Sequence, residues 1–243
     1  MQRNRSTPDG TQWINGTPEV LVFDVNETLI DFESISPLFE KVFGDRRVLR
    51  EWLANLIMYS MTVTLSGLYK DYFSLGQGLL RMAGEIHGVE VTASDIDEIK
   101  QGMLTMPAHP DVEPGLRLLQ NAGFRMVTLT NSPPNPNGKS PLEQAGLAPY
   151  FERQFHIEST RSYKPAPLVY NLVAQELEVA PSNCMMIATH VWDTVGAQST
   201  GFTGGLLTRP GNAPLPLGGL PQPHIVAPDL PGLASELITR CRS

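Results

Sequence analysis

The sequence predicts an α/β fold: a parallel sheet with helices on both faces and a helical unit inserted after the first strand. Three observations predict it. Short apolar runs with strand character recur at 19–24, 125–130, 184–188 and 203–207, with a weaker one at 224–226. Helical patterns separate them, at 113–122, 138–146, 166–178, 193–200 and 230–240. Residues 33–106 break this alternation and read as helix throughout, at 37–43, 46–65, 68–83 and 94–104. Strands alternating with helices of such length form a Rossmann-like parallel sheet, with sites beyond the carboxyl ends of the strands.

Taken in order, the first run, EVLVFD, has the continuous apolar character of a strand buried on both faces, yet it ends in the carboxylate of Asp24. The polar string Asn26, Glu27 and Thr28 then makes a turn. The helical insert, rich in Leu, Met and Tyr, packs as a subdomain and also serves as a lid over the strand ends. Its hinge is expected near Phe32 and at Met106–Pro110, with His109 at the hinge or the pocket edge. RMVTLT at 125–130 ends in Thr130, Asn131 and Ser132. The prolines that follow Ser132 stiffen a turn whose backbone faces the substrate. RSYKPAP sets Lys164 and Pro165 just before a helix, and CMMIA runs into ATHVWD, with Asp193 opening a helix that stops at Gly201. The organisation is therefore a loose tail at 1–18, a core at 19–32 and 107–243, and a helical cap at 33–106.

Composition bounds the partners. The 243 residues are 41% hydrophobic and 18% charged, as in an ordinary globular chain able to bury a large core. A net charge of −7 argues against nucleic-acid or anionic-membrane binding, either of which needs a basic face. A small anionic substrate stays compatible, and a homodimer is left open. Cys184 and Cys241 are too few for a disulfide framework, and Cys184 reads as a core residue. No run reaches the length of a membrane span, and the polar first eighteen residues lack the apolar middle of a secretory signal. A cytoplasmic protein is expected, or a periplasmic one if a leader precedes this sequence.

Read alone, Asp24 serves equally as a helix cap or as a nucleophile. The other strand ends change the balance: a hydroxyl and amide at Thr130 and Asn131, a cation at Lys164 and a second acid at Asp193. A carboxylate of ordinary pKa ~3.9 is ionised at neutral pH and attacks without an activating base. Two acids facing one lysine also explain why a cation belongs there.

In this order the motifs DVNETL at 24–29, LTNS at 129–132, YKP at 163–165 and WDTVGA at 192–197 resemble those of the haloacid dehalogenase superfamily, from about residue 19 to 240. The resemblance implies that the insert is that superfamily's cap. Phosphatases of the superfamily carry a second aspartate two residues after the nucleophile, and a magnesium ion held by further acids. Here those places hold Asn26 and Thr189, too few oxygen anions for a hard divalent ion. No metal or cofactor is therefore expected, and a Mg²⁺-dependent phosphatase ranks as a lower reading.

The chain is most similar to the metal-independent L-2-haloacid dehalogenase branch, including W-x6-Y at Trp52 and Tyr59 and Y-x-D-[YF] at 69–72. That resemblance implies attack by Asp24 on C2 of a small 2-substituted carboxylate, then hydrolysis of the aspartyl ester. Thr28 would orient Asp24, Lys164 would offset its charge, and Asp193 would position or activate water. Thr130 and Asn131 would hold the substrate carboxylate, and Tyr170 would close the network. Asn26, Tyr170, His190, Trp192, Tyr59 and Val63 complete the expected substrate wall, while Met58 and Met61 read as cap core. His190 itself reads as a loop histidine held by backbone groups.

Alignment on Trp52 and Tyr59 puts Val63 where the branch keeps a halide-cradling arginine. Ala188 and His190 replace a usual Ser and Asn, and Asn26 replaces an aromatic. Retained attack with an altered leaving-group pocket resembles the azetidine-2-carboxylate hydrolases, where the leaving ring nitrogen is already an ammonium. Ring opening of L-azetidine-2-carboxylate is thus the leading expectation and halide release the alternative. A catalytically silent binding protein is the rival from outside enzymology.

Overall fold

The computed structural model describes residues 17–135 and 138–242; the tail expected at 1–18 lies outside these residues except for its last two. The chain begins with β1 (Val20–Phe23), then crosses into four helices, α1 (Ser36–Phe43), α2 (Val48–Leu65), α3 (Tyr72–His87) and α4 (Ala93–Leu104). It returns through α5 (Val112–Asn121), β2 (Arg125–Thr130), α6 (Pro141–Gln144), β3 (Arg153–His156) and α7 (Pro167–Glu176). β4 (Cys184–Ala188), α8 (Val191–Gln198), β5 (Thr203–Leu207), β6 (Ile225–Ala227) and α9 (Leu230–Arg242) complete it. The strands form one parallel sheet in the order β3-β2-β1-β4-β5-β6, the doubly wound Rossmann order.

β1 is central, hydrogen-bonded to both β2 and β4. Successive side chains on a strand point to opposite faces, yet Val20 through Phe23 are all fully buried, so both faces of the sheet are covered. On one side α5 buries Val112, Leu116 and Leu119 at helical spacing, opposite Leu230, Leu233 and Leu237 of α9. The two helices meet at Gly115, where a Cβ would lie 2.5 Å from the side chain of Leu230. Only glycine admits that approach.

β3 is an addition to the five strands the sequence suggests. It sits at the edge, and Phe155 is its one buried residue, so no apolar run announces it. α6 is shorter than the expected 138–146, because Ser140 and Glu143 form a reciprocal cap around Pro141. α3 starts at Tyr72 rather than 68, where the Asp71 carboxylate accepts from the Ser74 N–H.

The chain leaves for the helical insert and returns from it side by side. Asp31 N–H donates to Pro107 O at 2.8 Å, and His109 N–H to Leu29 O at 3.0 Å, so a two-stranded connection joins the units. No helix of the described residues is long and apolar enough to cross a membrane. Cys184 is buried in β4, its thiol pushed up to about 12 by burial, in keeping with a core role.

Candidate active site

The strand order reverses direction between β1 and β4, and ligands of such sheets bind in the crevice beyond that switch point. Asp24 stands there. Its N–H donates to Ile187 O at 3.0 Å, the last link between β1 and β4, which fixes the backbone while the side chain faces the crevice. Each carboxylate oxygen has one anchor. Thr28 Oγ1 donates to Oδ2 at 2.6 Å, and Lys164 Nζ donates to Oδ1 at 2.8 Å. Thr28 is itself fixed, because its hydroxyl accepts from the Thr189 N–H at 3.0 Å.

Lys164 is the hub. Its ammonium also donates to Asp193 Oδ2 at 2.6 Å and to Leu129 O at 3.0 Å, and its backbone N–H donates to Asn131 Oδ1 at 3.0 Å. Burial works to lower its pKa, but Asp193 and Asp24 outweigh burial, so Lys164 sits above its ordinary 10.5. Burial and the neighbouring Asp24 likewise push Asp193 up against the pull of Lys164. The two directions agree: one cation shared by two carboxylates leaves a buried excess of negative charge that holds protons tightly.

Asp193 is fully buried, and its other oxygen accepts from Tyr170 at 2.7 Å. Burial raises that phenol well above its ordinary value, so it remains a donor. Gly196 makes this possible, since a Cβ there would come within 2.8 Å of the Tyr170 hydroxyl. Tyr170 and Asp193 thus stand behind Lys164, away from the cavity. The expectation that Tyr170 contacts substrate is corrected: its hydroxyl is spent on Asp193.

From the core the cavity is lined by Asp24, Asn26, Glu27, Thr130, Asn131, Lys164, His190 and Trp192. From the insert it receives Leu53, Ile57 and Tyr72. Tyr59 and Val63 are not among them, which corrects two further expectations. Leu53 and Ile57 are one turn apart on α2, and Val63 lies six residues past Ile57, about 9 Å along the axis, beside Thr64, whose hydroxyl accepts from the Tyr163 N–H at 3.0 Å. Tyr59 instead borders a separate surface depression with Lys70 and Leu75. An arginine at the site's margin is Arg50 on α2, paired with both Glu27 and Glu33.

Glu27 was legible only as a turn residue. It holds positive φ (62°), is buried, and turns its carboxylate toward the cavity. One oxygen pairs with Arg50. The other lies 2.7 Å from His190 Nε2, near enough for an ion pair, though outside hydrogen-bond alignment. His190 therefore faces a carboxylate rather than the backbone groups expected of a loop histidine. Its ring stacks on Trp192 at 5.3 Å. The Trp192 indole N–H is buried with no acceptor among the described residues. Tyr72, whose phenol burial also raises, brings a second aromatic donor from the insert. The Y-x-D-[YF] pattern carried the signal for it.

The positions a magnesium ion would need are otherwise engaged. Asn26 Nδ2 donates to Ser132 Oγ at 3.1 Å, and the Thr189 hydroxyl donates to Leu207 O at 2.8 Å. Neither offers a carboxylate oxygen, so the donor set does not fit that ion.

A family model for haloacid dehalogenase-like hydrolases matches residues 18–201, most of the chain. The chain belongs to the haloacid dehalogenase-like hydrolases. Among curated relatives of this hydrolase, (S)-2-haloacid dehalogenase 1 of Pseudomonas sp. (strain CBS-3) is 28% identical over 205 residues, covering 84% of this chain and 89% of the relative. The (S)-2-haloacid dehalogenase 4A of Burkholderia cepacia is 28% identical over 200 residues, covering 79% and 84%. The solved L-2-haloacid dehalogenase from Xanthobacter autotrophicus, with chloropropionic acid covalently bound, superposes with a TM-score of 0.80 at 23% identity, over 90% of this chain and 98% of that one. That superposition identifies the fold of this haloacid dehalogenase-like hydrolase.

Proposed function

We propose that this hydrolase acts on a small 2-substituted carboxylate, with Asp24 attacking C2 and displacing the leaving group. The resulting ester of Asp24 is then hydrolysed, without a metal ion. The observation that carries this reading is the Asp24 carboxylate itself, anchored by Thr28 and Lys164 at the switch point and facing a cavity. A carboxylate so fixed is ionised and oriented before substrate arrives. Thr130, the Asn131 amide and the Trp192 N–H supply donors for the substrate carboxylate. Lys164 keeps the reacting oxygen aligned, and Tyr170 and Asp193 keep Lys164 in place.

Halide is the leaving group the relatives support, being 2-haloacid dehalogenases by name. One observation favours ring opening of azetidine-2-carboxylate as a second reading. The wall contributed by the insert is apolar at Leu53 and Ile57, and the carboxylate of Glu27 lies on the same cavity, an environment that tolerates a departing ammonium. Incubation with L-2-chloropropionate and with L-azetidine-2-carboxylate, assaying chloride and ring-opened amino acid, separates the two. Turnover of neither would sink the whole reading.

The same assay on Leu53→Arg tests the leaving-group wall. At an effective dielectric of 20, two unit charges ~4 Å apart repel by about 4 kcal/mol, and a fraction of that slows ring opening more than tenfold. Chloride release should be unharmed or improved. Equal slowing of both reactions would remove Leu53 from the leaving-group wall. EDTA is expected to leave turnover unchanged; loss restored by Mg²⁺ would return the phosphatase reading.

A further inference from the structure

The aspartyl-ester reading needs a base for its second half, and Asp193, the acid the sequence suggests, is poorly placed for it. Asp193 has no exposed surface, does not line the cavity, and has one oxygen on Lys164 and the other on Tyr170. A water reaching the Asp24 ester from the cavity would not meet it. His190 does line that cavity. Its Nε2 faces Glu27 Oε2 at 2.7 Å, and its ring is held flat against Trp192. Glu27 is oriented from three sides: Arg50 on one oxygen, His190 on the other, and His109 Nε2 donating to its main-chain oxygen at 3.0 Å. A left-handed backbone at Glu27, unusual outside glycine, turns this carboxylate inward. In the neutral imidazole, with its proton on the nitrogen that faces the buried carboxylate, the other nitrogen is a proton acceptor.

We propose that His190, held by Glu27, is the base that activates water for hydrolysis of the Asp24 ester. The inference rests on the aspartyl-ester reading above and holds for either leaving group. Water oxygen bonds to Cγ of Asp24 as its proton passes to Nδ1 of His190. The Cγ–O bond of the ester then breaks, the departing alkoxide of the 2-hydroxy acid takes up that proton, and Asp24, left as a carboxylic acid, releases the water's second proton to solvent and regains its carboxylate. Water is the only co-reactant. His190 is a catalytic residue in this step, and Glu27 is a positioning residue acting through it.

The test separates the two half-reactions. Wild type, His190→Ala, Glu27→Gln and Asp193→Asn are mixed with excess L-2-chloropropionate, and in parallel with L-azetidine-2-carboxylate. The ester on Asp24 is followed by intact-protein and peptide mass spectrometry, with thermal melting as a check of folding. Losing a general base costs typically ~10²–10⁴-fold. His190→Ala should therefore form the ester within about tenfold of the wild-type rate, with a single equivalent of chloride from the chloro acid, and then hold it at least about a hundredfold longer. Glu27→Gln should accumulate the same ester to a smaller extent, which a merely structural role would not produce. Asp193→Asn should slow ester formation instead, by freeing Lys164. The proposal is overturned if His190→Ala turns over within tenfold of wild type with no ester, or if folded His190→Ala fails to form the ester at all. If Asp193→Asn alone traps the ester, the base is Asp193. Wild type that turns over neither substrate would overturn the underlying aspartyl-ester reading, and this inference with it.

Discussion

Asp24→Asn is expected to abolish turnover while leaving the fold intact. The substitution keeps the shape of the side chain and its place beside Thr28 Oγ1 and Lys164 Nζ, but removes the charged oxygen that attacks. Loss of a nucleophile typically costs ~10⁴-fold or more, so steady-state rates should fall below detection on either candidate substrate. Because the amide also relieves the excess negative charge around Lys164, the melting temperature should hold or rise. Slow recovery on standing would indicate deamidation back to aspartate, which peptide mass spectrometry detects. Residual activity above a hundredth of wild type without deamidation would exclude Asp24 as the nucleophile.

Lys164→Met should carry the largest stability effect. Removing one partner of a buried ion pair costs ~3–5 kcal/mol, because the remaining charge is stranded, and here two carboxylates are stranded at once. The pH dependence has a definite sign. In wild type Lys164 is raised above 10.5, so its stabilisation is complete below that value and is lost as pH rises through the folded value. In the variant the cation is gone, and burial, already the largest influence raising Asp193, is opposed by the hydrogen bond from Tyr170 and no longer by Lys164. The folded state then binds protons more tightly than the unfolded one, so the variant's stability should rise as pH is lowered from neutral toward the carboxylate range. Urea unfolding of both proteins across that range measures it. A variant within about 1 kcal/mol of wild type at neutral pH, or one that weakens on mild acidification, would contradict a net-negative buried cluster.

Much of this was legible along the chain because it depends on local spacing. Apolar runs of strand length separated by helical periods were enough for the parallel sheet, and the polar residue ending each run marked the crevice. Asp24, Thr28, Lys164 and Asp193 converge in the structure as their positions at successive strand ends required. A parallel sheet brings its carboxyl ends together whatever the intervening loops do. β3 escaped because an edge strand needs only one buried side chain, and one residue makes no period.

Tertiary structure alone decided which groups see the cavity. Asp193 belongs to the strand-end set, yet it is buried and bonded to Tyr170 of α7, and burial cannot be read from order along the chain. Val63 and Tyr59 lie on the same helix as Leu53 and Ile57 yet do not line the cavity; Tyr59, two residues past Ile57, faces another side of the helix. Counting from a motif fixes distance along a helix only once the helix's placement on the core is known. Glu27 shows the same limit most clearly. In the sequence it is one polar residue of a turn; in the fold it has a positive φ, contacts to Arg50, His190 and His109, and a place on the cavity that Asp24 lines. Those partners lie 23, 163 and 82 residues away along the chain, at separations no local pattern encodes.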